Sequence, residues 1–180
     1  MGNITNKDEL LKLLRAGLFE KFNESRSYDE ELLDLTELDL KESVLNGINF
    51  DKVDISGSDI SDTELNDVSF NGSDLSTVNF SHATITDCCF SDTVLEGSIF
   101  TGASLISCDF TAAEFNGANI CGTDLTGSDL SLCENLMQTA YNKNTVWPSD
   151  EFLPDEFDPE YDSSFAELED EPEFTEDLSY

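Results

Sequence analysis

The stretch Gly117-Ala118-Asn119-Ile120-Cys121-Gly122-Thr123-Asp124-Leu125-Thr126-Gly127-Ser128-Asp129-Leu130 repeats one pattern: a glycine, a small residue, Asn or Asp, a large aliphatic residue, then one more residue. Followed outward, the period of five holds without an inserted residue. Every fifth position from Leu35 to Leu130 is Leu, Ile or Phe: Leu35, Leu40, Leu45, Phe50, Ile55, Ile60, Leu65, Phe70, Leu75, Phe80, Ile85, Phe90, Leu95, Phe100, Leu105, Phe110, Phe115, Ile120, Leu125 and Leu130. Those three residue types make up only 43 of 180 residues, so 20 successes in 20 positions are not chance. Two positions before each lies a second set, Leu33 to Ser128, in which 17 of 20 are Ala, Ser, Thr, Cys or Val, with Leu33, Leu38 and Ile48 the exceptions. An amphipathic helix repeats near 3.6 residues and a strand near 2, so neither regular element explains the spacing.

The units Gly57-Ser58-Asp59-Ile60, Gly72-Ser73-Asp74-Leu75 and Gly117-Ala118-Asn119-Ile120 resemble the pentapeptide-repeat family, over about residues 31–135. The resemblance implies an all-β solenoid: a right-handed quadrilateral parallel β-helix, four pentapeptides to a coil and about five coils, stacked roughly 4.8 Å apart. Residues 20 apart then lie above one another. One interior column reads Phe50, Phe70, Phe90, Phe110, Leu130, and another Leu40, Ile60, Phe80, Phe100, Ile120. Ring pairs in such columns add about 0.5–1.5 kcal/mol each beyond burial.

A stack of coils has two open ends that need covers. Residues 1–30 are expected to form a helical cap, with Thr5 or Asn6 before Asp8 and Glu9 as a capping pattern, Leu10, Leu11, Leu13 and Leu14 as its apolar face, and Gly17 as its stop. Leu18, Phe19 and Phe22 are expected to lead onto the first coil. Residues 31–135 are expected to form the β-helix and 136–148 the C-terminal cap, where Thr139 to Pro148 also resembles the closing segment of cyanobacterial members of the family. From 149 to 180, 14 of 32 residues are acidic and none is Lys or Arg, a composition expected of a disordered tail.

The chain carries 40 acidic and 8 basic residues, a formal charge of −32. Direct binding to nucleic acid, which depends on Lys and Arg displacing counterions from phosphates, is therefore not expected. The expected partner is a protein, with a basic surface or one indifferent to charge. No apolar run reaches membrane-spanning length, Met1 to Leu10 lacks the order of a secretion signal, and a cytoplasmic protein without membrane insertion is expected. The five cysteines lack metal-ligand spacing and fall largely at small slots of the repeat, so free buried thiols are expected, with no metal and no cofactor.

Since every inward position is filled, no pocket and no enzymatic site are expected. His82 is outward, with no Ser, Cys or Asp at a spacing that marks a triad. Cys88 and Cys108 share an inward column, whereas Cys89 and Cys121 point outward. The candidate interaction surface is the outward column Asp34, Asp54, Asp74, Glu114, Glu134, broken by Val94, together with the tail aromatics Phe152, Phe157, Tyr161, Phe165 and Phe174. Stacked carboxylates should titrate as a coupled set with some values raised. The same position also suits turn chemistry, in which Asp or Asn bonds nearby backbone. Two functions remain: a non-enzymatic interaction module or scaffold, and, as the family resemblance implies, a mimic of duplex DNA that regulates DNA gyrase or another nucleic-acid-binding protein. The loop insertions of the gyrase-protecting branch and an evident carboxy-terminal dimer module are missing. Val94, Ile99 and Ile106 are outward apolar residues of ordinary frequency.

Overall fold

Backbone pairing converts the period of five into a ladder of period 20. In the computed structural model, which describes residues 7–26 and 32–159, the strands are two or three residues long and parallel. Strand β1 (Leu33–Asp34) pairs with β2 (Val53–Asp54), and β3 (Glu64–Asn66), β4 (Thr84–Thr86) and β5 (Ser104–Ile106) form a second ladder, all in a register of 20. Isolated parallel bridges at the same offset extend both ladders and make the other faces, for example Asp39↔Asp59, Asn49↔Ser69 and Asp109↔Asp129.

The corners explain why the strands are short. From Phe70 to Ser73 the Ser73 N–H donates to the Phe70 carbonyl (3.1 Å), and Gly72 has φ +66°. Positive φ at the third residue, with an ordinary second residue, is the type II turn. The same position is left-handed in every unit from Glu37 to Gly127, eight times with glycine and eleven times with another residue. After β3 and β5 the corner opens, and the N–H of the small inward residue goes to a side chain one coil further on. Val68 donates to Cys88 Sγ (3.4 Å) and Cys108 to Ser128 Oγ (2.9 Å).

All 20 large positions from Leu35 to Leu130 are buried in one continuous core. Rings stack within columns, at 5.5 Å for Phe50–Phe70, 5.0 Å for Phe70–Phe90, 4.9 Å for Phe90–Phe110 and 4.8 Å for Phe80–Phe100. The two columns also meet edge to face, Phe70–Phe80 and Phe80–Phe90 both at 6.1 Å. Inward hydroxyls are paired: Ser73 Oγ donates to Phe50 O (2.6 Å) and accepts from Val53 N–H (3.0 Å), and Thr93 donates to Phe90 O (2.6 Å). Buried hydroxyls held this way escape the desolvation cost of an unpaired group.

At the front, helix α1 (Lys7–Arg15) buries Leu10 and Leu14 and ends before Gly17, φ +66°. The expected cap at Thr5 or Asn6 lies outside the described residues. Phe19 and Phe22 lead onto the first coil as expected, through a helix, and Leu18 does not. Phe19 opens a second helix, α2 (Phe19–Ser25), Phe22 is buried against Phe50 with rings 5.8 Å apart, and Leu18 is exposed. Side chains then stand in for a strand. Asn49 N–H donates to Asn23 Oδ1 (2.8 Å), whereas one coil on Ser69 N–H donates to the main-chain carbonyl of Ile48 (3.3 Å). The buried Arg26 donates to the carbonyls of Asn49 and Asp51, with its guanidinium 5.6 Å from the Phe22 ring centre.

At the back, two expectations are corrected. The strict period ends at Asn135, but the ladder continues with slipped offsets: Asn119 bridges Ala140, Asp124 bridges Val146, and Leu130 N–H donates to Phe152 O (2.9 Å). The pairing of a small residue two before a large one survives the slip. Thr139 precedes the buried Tyr141 and Thr145 precedes Trp147, with both threonines inward and hydrogen-bonded to main-chain carbonyls. The expected boundary at 149 is also too early. A 3-10 turn at Asp150–Phe152 leads to Leu153 and Phe157, both buried in the core, because the end of the rod still has apolar surface to cover. Of the segment 149–180 expected to be disordered, residues 160–180 lie outside those described.

Candidate interaction surfaces

The outward column forms as a direct consequence of the register: Asp34, Asp54, Asp74, Val94, Glu114 and Glu134 bridge in succession. Its aspartates serve the turns. Asp34, Asp54 and Asp74 each accept, through Oδ1, the backbone N–H two residues on, from Thr36 (3.1 Å), Ser56 (3.0 Å) and Ser76 (2.9 Å). Asp59, Asp109, Asp124 and Asp129 repeat the bond on the other faces at 2.9–3.0 Å. Glu114 and Glu134 continue the column with side chains one carbon longer.

The expected rise in carboxylate pKa is reversed at the front of the column. The Lys7 ammonium, 2.8 Å from Asp34, together with the Thr36 N–H and hydroxyl, lowers the Asp34 carboxyl to about 2. Hydrogen bonds to the ionised form outweigh the desolvation that opposes them at this position. Asp59 is lowered as well, by the Ser61 hydroxyl and N–H.

The expectation that the molecule has no pocket also needs correction, at one end. The rod interior is filled, but a groove of about 480 Å³ opens on the C-terminal cap, lined by Cys133, Asn135, Leu136, Met137, Gln138, Pro154, Asp155, Glu156 and Phe157. Its floor adjoins an aromatic cluster: Tyr141–Trp147 at 5.2 Å, Tyr141–Phe157 at 6.0 Å and Trp147–Phe157 at 5.0 Å. Phe157, expected to be a free anchor on a tail, is therefore part of this wall and buried, and Phe152 is half-buried. Tyr161, Phe165 and Phe174 lie outside the described residues. The spacing of Thr139-Tyr141 and Thr145-Trp147 was the available signal for this irregular final turn; the strict period of five concealed it.

All five cysteines are free thiols. Burial pushes Cys88 up to about 11 and Cys108 and Cys133 up to about 12, so these three are held protonated at neutral pH. His82 sits on the outer corner at φ 59°, with its ring over Gly102. Among the described residues no cluster of His, Cys, Asp and Glu converges to hold a metal ion, and no helix is long and apolar enough to cross a membrane.

Comparison with known proteins gives a family. No curated protein matches the chain. Among solved structures, it is similar to HetL, a pentapeptide repeat protein involved in heterocyst differentiation regulation in the cyanobacterium Nostoc, at 20% identity and a TM-score of 0.45, covering 79% of this chain and 49% of that one. It is also similar to the pentapeptide repeat protein Rfr23 of the cyanobacterium Cyanothece (22% identity, TM-score 0.34, 64% of this chain and 88% of that one). A third similar structure is a pentapeptide repeat protein of the Arabidopsis thaliana thylakoid lumen (24% identity, TM-score 0.35, 51% and 70%). The chain spans about half the length of the HetL structure. The family pattern described as Pentapeptide repeats matches in eight copies over residues 34–72, 62–97 and 88–127, which together span 94 of the 180 residues (34 to 127). With the 20-residue parallel register, this shows that the chain belongs to the pentapeptide-repeat family, whose fold is the right-handed quadrilateral β-helix.

Proposed function

We propose that the chain is a non-enzymatic interaction rod of about five regular coils that presents ordered outward columns to a basic protein surface. The observation that carries the proposal is the column Asp34, Asp54, Asp74, Glu114, Glu134. Its aspartates are pinned by N–H bonds of 2.9–3.1 Å, so a partner meets carboxylates whose orientation is already decided. Pre-ordered groups lose less entropy on binding than free side chains. Ordered carboxylates complement Lys and Arg and steer encounter in a salt-dependent way. The free thiols fit a reducing compartment, and we place the protein in the cytoplasm.

The test is capture of partners from native lysate with the full-length protein and with Asp54→Asn/Asp74→Asn, at low and high salt. A partner lost in the double variant and at high salt supports the reading. Turnover of a metabolite by the purified protein, abolished by point changes on one outward face, would sink it.

The same column favours a second reading, a mimic of duplex DNA acting on DNA gyrase or another nucleic-acid-binding protein. Two observations weigh against the mimic: Val94 interrupts the charge, and the parallel register runs from Leu33 to Glu134 without an inserted loop. A supercoiling assay at micromolar protein and low salt decides it: no effect rules out the mimic.

A further inference from the structure

The groove at the C-terminal end does not belong to the outward column, and its chemistry is different. Leu136, Met137, Pro154 and Phe157 make an apolar wall, and the exposed Asp155 and Glu156 stand at its rim. Met137 keeps 53% of its surface exposed although it lines a concavity, beside the buried Leu136 and Phe157. A volume of about 480 Å³ is larger than one side chain needs and falls in the range of ligand sites. Methionine is the side chain best able to adapt to more than one apolar shape. Burial keeps the Cys133 thiol protonated, so the wall carries no charge of its own and the rim carries only negative charge.

Resting on the interaction reading above, we infer that this groove docks a short basic peptide segment of a partner protein, one apolar side chain entering between Met137 and Phe157 while flanking Lys or Arg meet Asp155 and Glu156. Charge selects this occupant over the two others at hand. The chain's own residues 160–180 contain no Lys or Arg, so their carboxylates would be brought against those of the rim. A second copy brings a formal charge of −32 with it, and self-repulsion opposes its approach.

The protein carries its own reporter, because its one tryptophan, Trp147, lies 5.0 Å from Phe157. Two amidated peptides serve as probes, each with two arginines on either side of a central residue, leucine in one and serine in the other. Binding to the full-length protein is followed by Trp147 fluorescence near physiological salt. The leucine peptide should bind at least about tenfold tighter than the serine peptide, since burying one such side chain is favourable enough for that ratio. Met137→Lys should remove the preference, and Val44→Lys, an exposed apolar position far from the groove, should keep it. Thermal melts check that both variants fold. Equal binding of the two peptides, or a Met137→Lys protein that behaves like Val44→Lys, overturns the proposal and leaves only diffuse attraction to an acidic surface. So does a tenfold gain in affinity on Tyr161→Ser/Phe165→Ser, which would make the chain's own tail the occupant. A Trp147 signal that shifts with protein concentration in the absence of peptide overturns it in favour of a second copy. The Asp54→Asn/Asp74→Asn protein should retain the leucine preference, so failure of the column reading and failure of the groove are seen separately.

Discussion

Thr77 occupies the left-handed corner position at φ 57°, where a β-branched residue is least at ease. Thr77→Gly should raise stability by about 1 kcal/mol in urea unfolding, since an L-residue in this region costs roughly 1–2 kcal/mol. Gly127→Val should lower it by about the same amount. A Cβ at Gly127 meets nothing closer than Ser107 Oγ at 3.6 Å, ordinary contact, and the φ of +69° is itself the source of strain. At Asp34 the relevant variable is pH. Its carboxyl is held near 2, below the usual 3.8, so the charged form favours the fold. The contribution is complete above the unfolded value and is lost as pH falls from about 4 through about 2. In Lys7→Met the Asp34 midpoint, read by carboxyl NMR titration, should move up towards 3.8 yet remain below it, because the bonds from Thr36 persist.

At the scale of elements, a coil depends on its neighbours above and below. Phe90 touches Phe70 and Phe110 within its column and Phe80 and Phe100 across the core. Phe90→Ala should cost about 3–5 kcal/mol in denaturant unfolding, because packed rings on four sides prevent the cavity from collapsing. The front cap depends on side chains acting as backbone. Arg26→Ala strips donors from the carbonyls of Asn49 and Asp51 and should cost about 2–3 kcal/mol. Hydrogen exchange should then quicken first around Phe50 and spread along the rod, since a stacked repeat opens from its ends.

For the whole molecule, charge and burial set the expectations. A formal charge of −32 on one rod repels itself, so raising ionic strength from about 0.01 M to 0.15 M should raise Tm by several degrees in a thermal melt. Native alkylation followed by mass mapping should modify Cys89 early and reach Cys88 and Cys108 only on unfolding, because the latter two are buried and protonated. Much of this was legible in advance. Counting gives the period of five at residues such as Phe90, and the resemblance to pentapeptide repeats implies four units to a coil, so the interior columns and Asp34-type outward columns follow from the two together. The pinned carboxylates at Asp34, Asp54 and Asp74 were also within reach, because Asp and Asn at a turn bond the N–H two residues on.

What counting does not reach lies at the ends, where local pattern is lost and long-range contact decides. Neither Asn23 nor Arg26 belongs to a motif; they matter because helix α2 brings them to an open edge that needs donors and acceptors. The slipped offsets that carry Tyr141, Trp147 and Leu153 over the last coil, and the groove left beside Met137, arise because the end of a solenoid has no next coil to copy. The sequence alone determined the repeating interior, since identical units must satisfy identical neighbours. Only the tertiary structure decided the two ends, where unlike segments cover an exposed core and each solution depends on residues far apart in the chain.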